Sequence, residues 1–116
     1  MSENNVNTGD ARALFRFRTR SENVKCNQKS QYQYGNLNCP LCEHMAVTQQ
    51  TVQHLDDQEN LLHCDTIRQR CPEIRFNKTC QYSDIFGEDV DKMRQTVKLL
   101  QLAMKIRNEI LENIKR

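Results

Sequence analysis

The run Glu88-Asp89-Val90-Asp91-Lys92-Met93-Arg94-Gln95-Thr96-Val97-Lys98-Leu99-Leu100-Gln101-Leu102-Ala103-Met104-Lys105-Ile106-Arg107-Asn108-Glu109-Ile110-Leu111-Glu112-Asn113-Ile114-Lys115 contains neither Pro nor Gly. Val90, Met93, Val97, Leu100 and Met104 recur at spacings of three and four, the period of a helix with one buried face. Leu111 and Ile114 continue the stripe after an interruption at Arg107, and Leu99, Ala103, Ile106 and Ile110 widen it. Glu88, Asp89 and Asp91 open the run and Lys115 and Arg116 close it, which complements a helix dipole. The pattern predicts one long helix over 88–115, capped by Gly87 or Ser83. The stripe is too broad for a narrow coiled-coil seam. It is therefore expected to pack on the rest of the chain rather than on a second copy.

Working back from that helix, regularity weakens. Residues 72–82 read as an irregular connector, with Pro72 ending whatever precedes it. Val52, Leu55 and Leu62 suggest a second helix over 46–63. Cys39-Pro40-Leu41-Cys42 reads as a tight turn within 39–44. Residues 24–38 are rich in Asn, Gln, Ser and Tyr, with a turn signal at Gly35-Asn36. Nothing breaks a short basic helix over 11–23. Residues 1–10 have almost nothing apolar to bury and are expected to be disordered. The expected fold is mainly α: a disordered N-terminus (1–10), then a basic segment and a small irregular zinc-knuckle-like module with short helices (11–82), then one long C-terminal helix (83–116).

Composition sets limits. The chain has 116 residues, 37% of them hydrophobic, and no Trp; mean hydropathy is −0.83. So polar a chain is expected to need a metal or a partner to hold its fold. Net charge is only +2, but residues 12–29 carry Arg12, Arg16, Arg18, Arg20, Lys25 and Lys29 against Glu22 alone. No apolar run approaches membrane-spanning length. None resembles a secretion signal either, so the chain is expected to be intracellular with reduced cysteines. Asn77-Lys78-Thr79 fits the glycosylation pattern and is expected to be idle in that setting.

Six cysteines are present: Cys26, Cys39, Cys42, Cys64, Cys71 and Cys80. Cys39 and Cys42 place two thiolates at the mouth of one turn, a spacing that suits tetrahedral Zn²⁺. His44, His54, His63, Cys64 and Cys71 are candidates for the remaining pair. No βαβ pattern surrounds the Cys39–Cys42 pair, which disfavours a thioredoxin-like redox site. Zinc is the expectation, held by Cys39 and Cys42 with a second pair drawn from those five candidates. Cys26 and Cys80 read as small buried hydrophobes.

Catalysis finds little footing. His63 and Cys64 are sequence neighbours without an orienting third group. Asp56-Asp57 mimics a metal-binding carboxylate pair only superficially, because no strand pattern surrounds it. The basic stretch 12–34 interleaves its six bases with Phe15, Phe17, Tyr32 and Tyr34. Bases attract phosphates and aromatic rings stack on unpaired bases, so weak, largely non-specific RNA or DNA binding is expected. Arg12, Arg16, Arg18, Arg20, Lys25, Lys29 and Tyr32 are the candidate contacts. The competing reading has Phe15 and Phe17 packed inward and the arginines simply solvated.

An ordered series of short motifs sharpens this. It comprises Phe15-Arg16-Phe17-Arg18-Thr19-Arg20, then Val24-Lys25 with Asn27 and Lys29, Tyr32, Cys39-Pro40-Leu41-Cys42, and Asp57-Gln58-Glu59 with Leu61-Leu62-His63-Cys64. In that order they resemble the segment that follows the reverse-transcriptase domain in non-LTR retrotransposons of animals. Tyr82-Ser83-Asp84-Ile85-Phe86-Gly87-Glu88-Asp89-Val90 resembles the extreme C-terminus of such polyproteins. The resemblance implies a non-catalytic Cys/His zinc module that helps hold template RNA or target DNA, without the polymerase domain itself. Family members often carry His four residues before the last Cys, where this chain has Asn60. His54, three residues before Asp57, takes that place in the present assignment, with His63 second. A helical protein–protein interaction module, or a non-functional transposon fragment, is the alternative.

Overall fold

The computed structural model describes residues 8–28, 37–45 and 54–115, with side chains over 10–28, 37–42 and 54–114. The expected disorder of residues 1–7 and the first part (46–53) of the expected helix over 46–63 lie outside the described residues.

Helix α1 spans Thr8–Arg18, so it starts inside the stretch expected to be disordered and stops short of residue 23. Its end is a Schellman turn. Arg20 adopts a positive φ of 55°, while Arg20 N bonds the Phe17 carbonyl (3.3 Å) and Ser21 N bonds the Arg16 carbonyl (2.9 Å). A non-glycine residue there is strained by about 1 kcal/mol or more. The Arg20 side chain offsets this by pairing with Asp57 (3.1 Å) and Glu59 (2.5 Å). Its guanidinium also lies 5.8 Å from the Tyr82 ring centroid.

A 3-10 turn at Lys25–Gln28 follows. Helix α2 covers Pro40–Met45, so the expected tight turn is the start of a helix. Pro40 stands first in it, where a missing N–H costs nothing. Residues 54–57 are not helical. Leu55 instead forms an isolated antiparallel bridge with Asn38, and only Gln58–His63 turns, as a 3-10 helix. Asp57 explains the break, since its side chain accepts from Glu59 N and so starts a new turn there.

Helix α3 spans Asp65–Arg70 and α4 Pro72–Arg75. Pro72 thus begins a helix as well as ending one. The expected connector is ordered further by an Asx turn at Asn77 and by a 3-10 helix at Tyr82–Phe86. Helix α5 runs unbroken over Val90–Lys115. Its cap is Asp89, whose carboxylate accepts from Lys92 N at 3.2 Å, rather than Gly87 or Ser83.

α5 is the spine. It packs against α1, α2, α3, α4 and the 3-10 helices at Gln58–His63 and Tyr82–Phe86. Val97, Leu100, Ala103, Met104 and Ile110 are buried there with Phe17, Leu41, Ile67, Ile74 and Ile85. The apolar stripe is therefore spent within the chain. Arg107, read as an interruption, is buried too. Its Nη2 lies 2.5 Å from Asp56 Oδ2 and its Nε 3.2 Å from Oδ1. The Asp56 carboxylate also accepts from Lys25 N at 2.9 Å. One buried ion pair thus ties α5 to the N-terminal region through Asp56.

A second buried polar knot surrounds Gln58. Its amide donates to the Phe17 carbonyl (2.8 Å) and the Tyr82 hydroxyl (3.0 Å), and its oxygen accepts from Asn27 (2.6 Å). Tyr82 in turn donates to the Phe17 carbonyl at 3.1 Å. These bonds add to the Arg20 N–H that the Phe17 carbonyl already accepts at the end of α1.

Candidate metal centre

Three local devices bring four ligand atoms together. The Asn38–Leu55 bridge is closed by Cys39 N to the His54 carbonyl (2.7 Å) and Asp56 N to the Leu37 carbonyl (2.8 Å). It sets Cys39 and His54 on facing segments. The first turn of α2 carries Cys42. Cys64 stands between the Gln58–His63 turn and α3, where its carbonyl accepts from Arg68 N at 2.9 Å.

Cys39, Cys42, His54 and Cys64 then offer ligand atoms that all lie within 4.8 Å of one another. Cys39 Sγ and Cys42 Sγ approach Cys64 Sγ at 3.9 and 3.7 Å. His54 Nε2 lies 3.3 Å from Cys42 Sγ. These cysteines are free thiols, and separations near 4 Å are far beyond the roughly 2.05 Å of a disulfide. The three sulfurs are buried and the imidazole half-buried. His54 Nδ1 sits 3.0 Å from the Leu55 carbonyl. A proton on Nδ1 would be donated there, leaving Nε2 free to bind, the usual arrangement of a metal-ligating histidine. Thr66 Oγ1 lies 3.8 Å from Cys42 Sγ and completes the surroundings of that sulfur. The cluster can hold a metal ion.

Its electrostatics already divide the work among the thiols. Cys39 is pushed down to about 4, chiefly because the Cys64 thiol donates a hydrogen bond to it, with His54 adding to the effect. Cys64 is pushed up because it is that donor and because it is buried. Burial, then the Cys39 charge, pushes Cys42 up. His54 is raised by hydrogen bonding to Cys39 and by the charge of its thiolate. One thiolate, two thiols and a basic imidazole are what ion binding would have to deprotonate further.

Of the alternative histidines, His63 is exposed and stands outside this cluster, and the His44 side chain lies outside the described residues. Cys71 and Cys80 are buried, and Cys80 Sγ contacts Gln95 Oε1 at 3.5 Å.

Comparison with family models, curated proteins and solved structures finds no match to this chain.

The candidate nucleic-acid contacts divide. Arg12 and Arg16 are exposed, with Arg16 bonded to Glu22 at 2.7 Å. Arg18 donates to the Ile85 carbonyl at 2.7 Å and reaches Met93 Sδ at 3.5 Å. Arg20 is taken up by Asp57, Glu59 and Tyr82, as above. Lys25 is half-buried, and Lys29, Tyr32 and Tyr34 lie outside the described residues. The two phenylalanines of α1 part company: Phe17 is buried, whereas Phe15 is 66% exposed. Sequence reasoning missed that Asp56 and Arg107 form a buried pair. The only signal was a charge placed on the apolar stripe of an otherwise amphipathic helix. No helix among the described residues is long and apolar enough to cross a membrane.

Proposed function

We propose that this chain is a non-catalytic zinc-binding module that binds single-stranded nucleic acid, of the kind it resembles at the C-terminus of non-LTR retrotransposon polyproteins. The convergence of Cys39, Cys42, His54 and Cys64 carries the proposal. A tetrahedral zinc with Zn–S bonds of about 2.3 Å and a Zn–N bond of about 2.0 Å needs S···S edges of about 3.8 Å and S···N edges of about 3.5 Å. Three of the six edges, at 3.7, 3.9 and 3.3 Å, match those lengths, and all six lie within 4.8 Å. Three thiolates and one imidazole favour zinc over the oxygen-seeking cations.

Four protein ligands fill a tetrahedron and leave no position for substrate, which favours a structural role over a catalytic one. Zinc held there would cross-link residue 39 to residue 64 and so fasten α2, the Asn38–Leu55 bridge and α3 to one another. Structural zinc supplies on the order of 10 kcal/mol in small modules, which suits a chain with so few hydrophobic residues. The nucleic-acid half rests on charge and exposed aromatic surface. Arg12 and Arg16 flank Phe15 on the open side of α1, an arrangement in which a ring can stack on a base while guanidinium groups meet phosphates.

Elemental analysis of the purified protein tests the metal assignment. One equivalent of zinc is expected, retained in His63→Ala and lost in His54→Ala. Loss in His63→Ala with retention in His54→Ala would assign the wrong histidine. Absence of zinc from the unaltered chain would remove the assignment altogether.

A further inference from the structure

A second cationic surface lies away from α1. Between residues 68 and 78 stand Arg68, Arg70, Arg75 and Lys78 against the single acid Glu73. These are all of the bases between residues 30 and 87, so averaging over that acidic stretch hides them. They stand on the corner between α3 and α4 and in the turn that follows it. Cys71 ends α3 and Pro72 opens α4, and Arg68 Nη2 donates across the corner to the Arg75 carbonyl at 3.2 Å. Asn77 then builds the next turn. Its Oδ1 accepts from Thr79 N (3.3 Å) and Cys80 N (3.0 Å), and its Nδ2 donates to the Cys80 carbonyl (2.8 Å). That turn leaves Lys78 exposed.

The corner also carries an aromatic ring. Phe76 is 68% exposed, and the Arg75 guanidinium covers one side of it, 4.8 Å from the centroid. Among the described residues, none of the four bases forms an ion pair with a carboxylate. This contrasts with α1 and the turn that ends it, where Arg16 and Arg20 are paired internally and Arg18 is tied to a carbonyl.

We propose that the α3–α4 corner is a binding surface for single-stranded nucleic acid, with Phe76 stacking on an unpaired base and Arg70, Arg75 and Lys78 meeting its phosphates. This rests on the nucleic-acid reading above and moves its main contact from α1 to the corner. The occupant follows from charge and shape. A cationic surface attracts a polyanion. An exposed ring already backed by a guanidinium offers its open side to a planar π-system, which an acidic peptide or a lipid headgroup lacks. The corner also adjoins the candidate metal centre, because α3 begins directly after Cys64.

The test is fluorescence anisotropy of the full, zinc-loaded chain with labelled oligo(U) and oligo(dT) at several salt concentrations. Poly-glutamate serves as a purely ionic competitor. Replacing Arg70, Arg75 and Lys78 together by Ala is expected to weaken binding at low salt by about tenfold or more. It should also flatten the log–log salt slope by about 2, at roughly 0.7 per lost phosphate contact. Phe76→Ala alone is expected to cost at least about fivefold. An Arg12→Ala/Phe15→Ala variant is expected to lose less than either. Photo-cross-linking of a bromouridine oligomer to the unaltered chain, expected at the peptide containing Phe76, needs no variant to fold.

If the unaltered chain binds but the triple variant, folded and zinc-loaded, binds equally well, the corner is overturned and the α1 reading stands. Cross-linking confined to α1 has the same meaning. Displacement by poly-glutamate as efficient as by unlabelled oligomer overturns the stacking role of Phe76. If neither oligomer binds the unaltered chain at low salt, the nucleic-acid half of the proposed function falls together with the corner.

Discussion

Asp56 shows how far single residues can be read without their neighbours. In the sequence it is half of an acidic pair with a faint polymerase likeness, and Arg107 is a flaw in an apolar stripe. In the fold each is the other's partner, nearly out of contact with water. Removing one member of a buried pair leaves an uncompensated charge, so Arg107→Leu should cost about 3–5 kcal/mol in urea unfolding of the zinc-loaded chain. Arg16→Ala, which breaks a pair whose arginine is exposed, should cost less than about 1 kcal/mol. Equal losses from the two would show that the buried pair carries no special weight. The four ligands make a second prediction at this scale. Burial and the Cys39 charge push Cys42 up, the hydrogen bond to Cys39 and burial push Cys64 up, and the hydrogen bond to Cys39 raises His54, so each holds its proton more tightly than a free group. Ion binding must expel these protons, so metal affinity rises with pH and falls on acidification. Calorimetry in buffers of different ionisation enthalpy should find about two to three protons released per ion near pH 7. Release of none would mean that the thiols do not ligate. The ligand set was legible because the Cys39–Cys42 spacing is local. That His54 rather than His63 joins the cluster follows from a bridge between residues 38 and 55 that no periodicity announces.

Among the elements, α5 was the most legible, since its apolar stripe repeats over 26 residues and needs no partner to be recognised. Its cap was not: Gly87, Ser83 and Asp89 all suit the role, and only the backbone path selects Asp89. Met104→Pro should cost roughly 3 kcal/mol or more, through a lost backbone bond and a ring clash. Amide exchange should protect α5 on both sides of Leu100; protection that stops before it would contradict a continuous helix. The shorter elements were poorly legible because their turns are set by contacts rather than by pattern. Leu55 and Leu62 sit at helical spacing, yet Leu55 joins a bridge and Asp57 restarts the chain as a 3-10 turn. Pro72 was read as a stop, though it serves equally well as the first residue of α4. The basic corner between α3 and α4 is masked for a different reason. Its four bases stand together over 68–78, but the acids on either side make the wider stretch 30–87 net acidic, and the exposed Phe76 ring beside them is visible only in the fold.

For the molecule as a whole, helical content and the dominance of the C-terminal helix followed from composition and period, whereas the way the N-terminal half is held did not. α1 and the Lys25–Gln28 turn reach α5 through Phe17, Asp56 and Gln58. Among the described residues, 37–45 and 54–64 are joined by one isolated bridge and by short turns. These two described stretches share only that bridge as regular backbone pairing, and a metal cross-link from residue 39 to residue 64 would add a strong constraint between them. The fold should therefore depend on the ion. The most direct measurement is far-UV circular dichroism of the purified chain before chelation, after chelation, and after zinc is restored. The account predicts a marked loss of helical signal on chelation and its recovery with one equivalent of zinc. A chain that is metal-free as purified and keeps the same spectrum through chelation would contradict it.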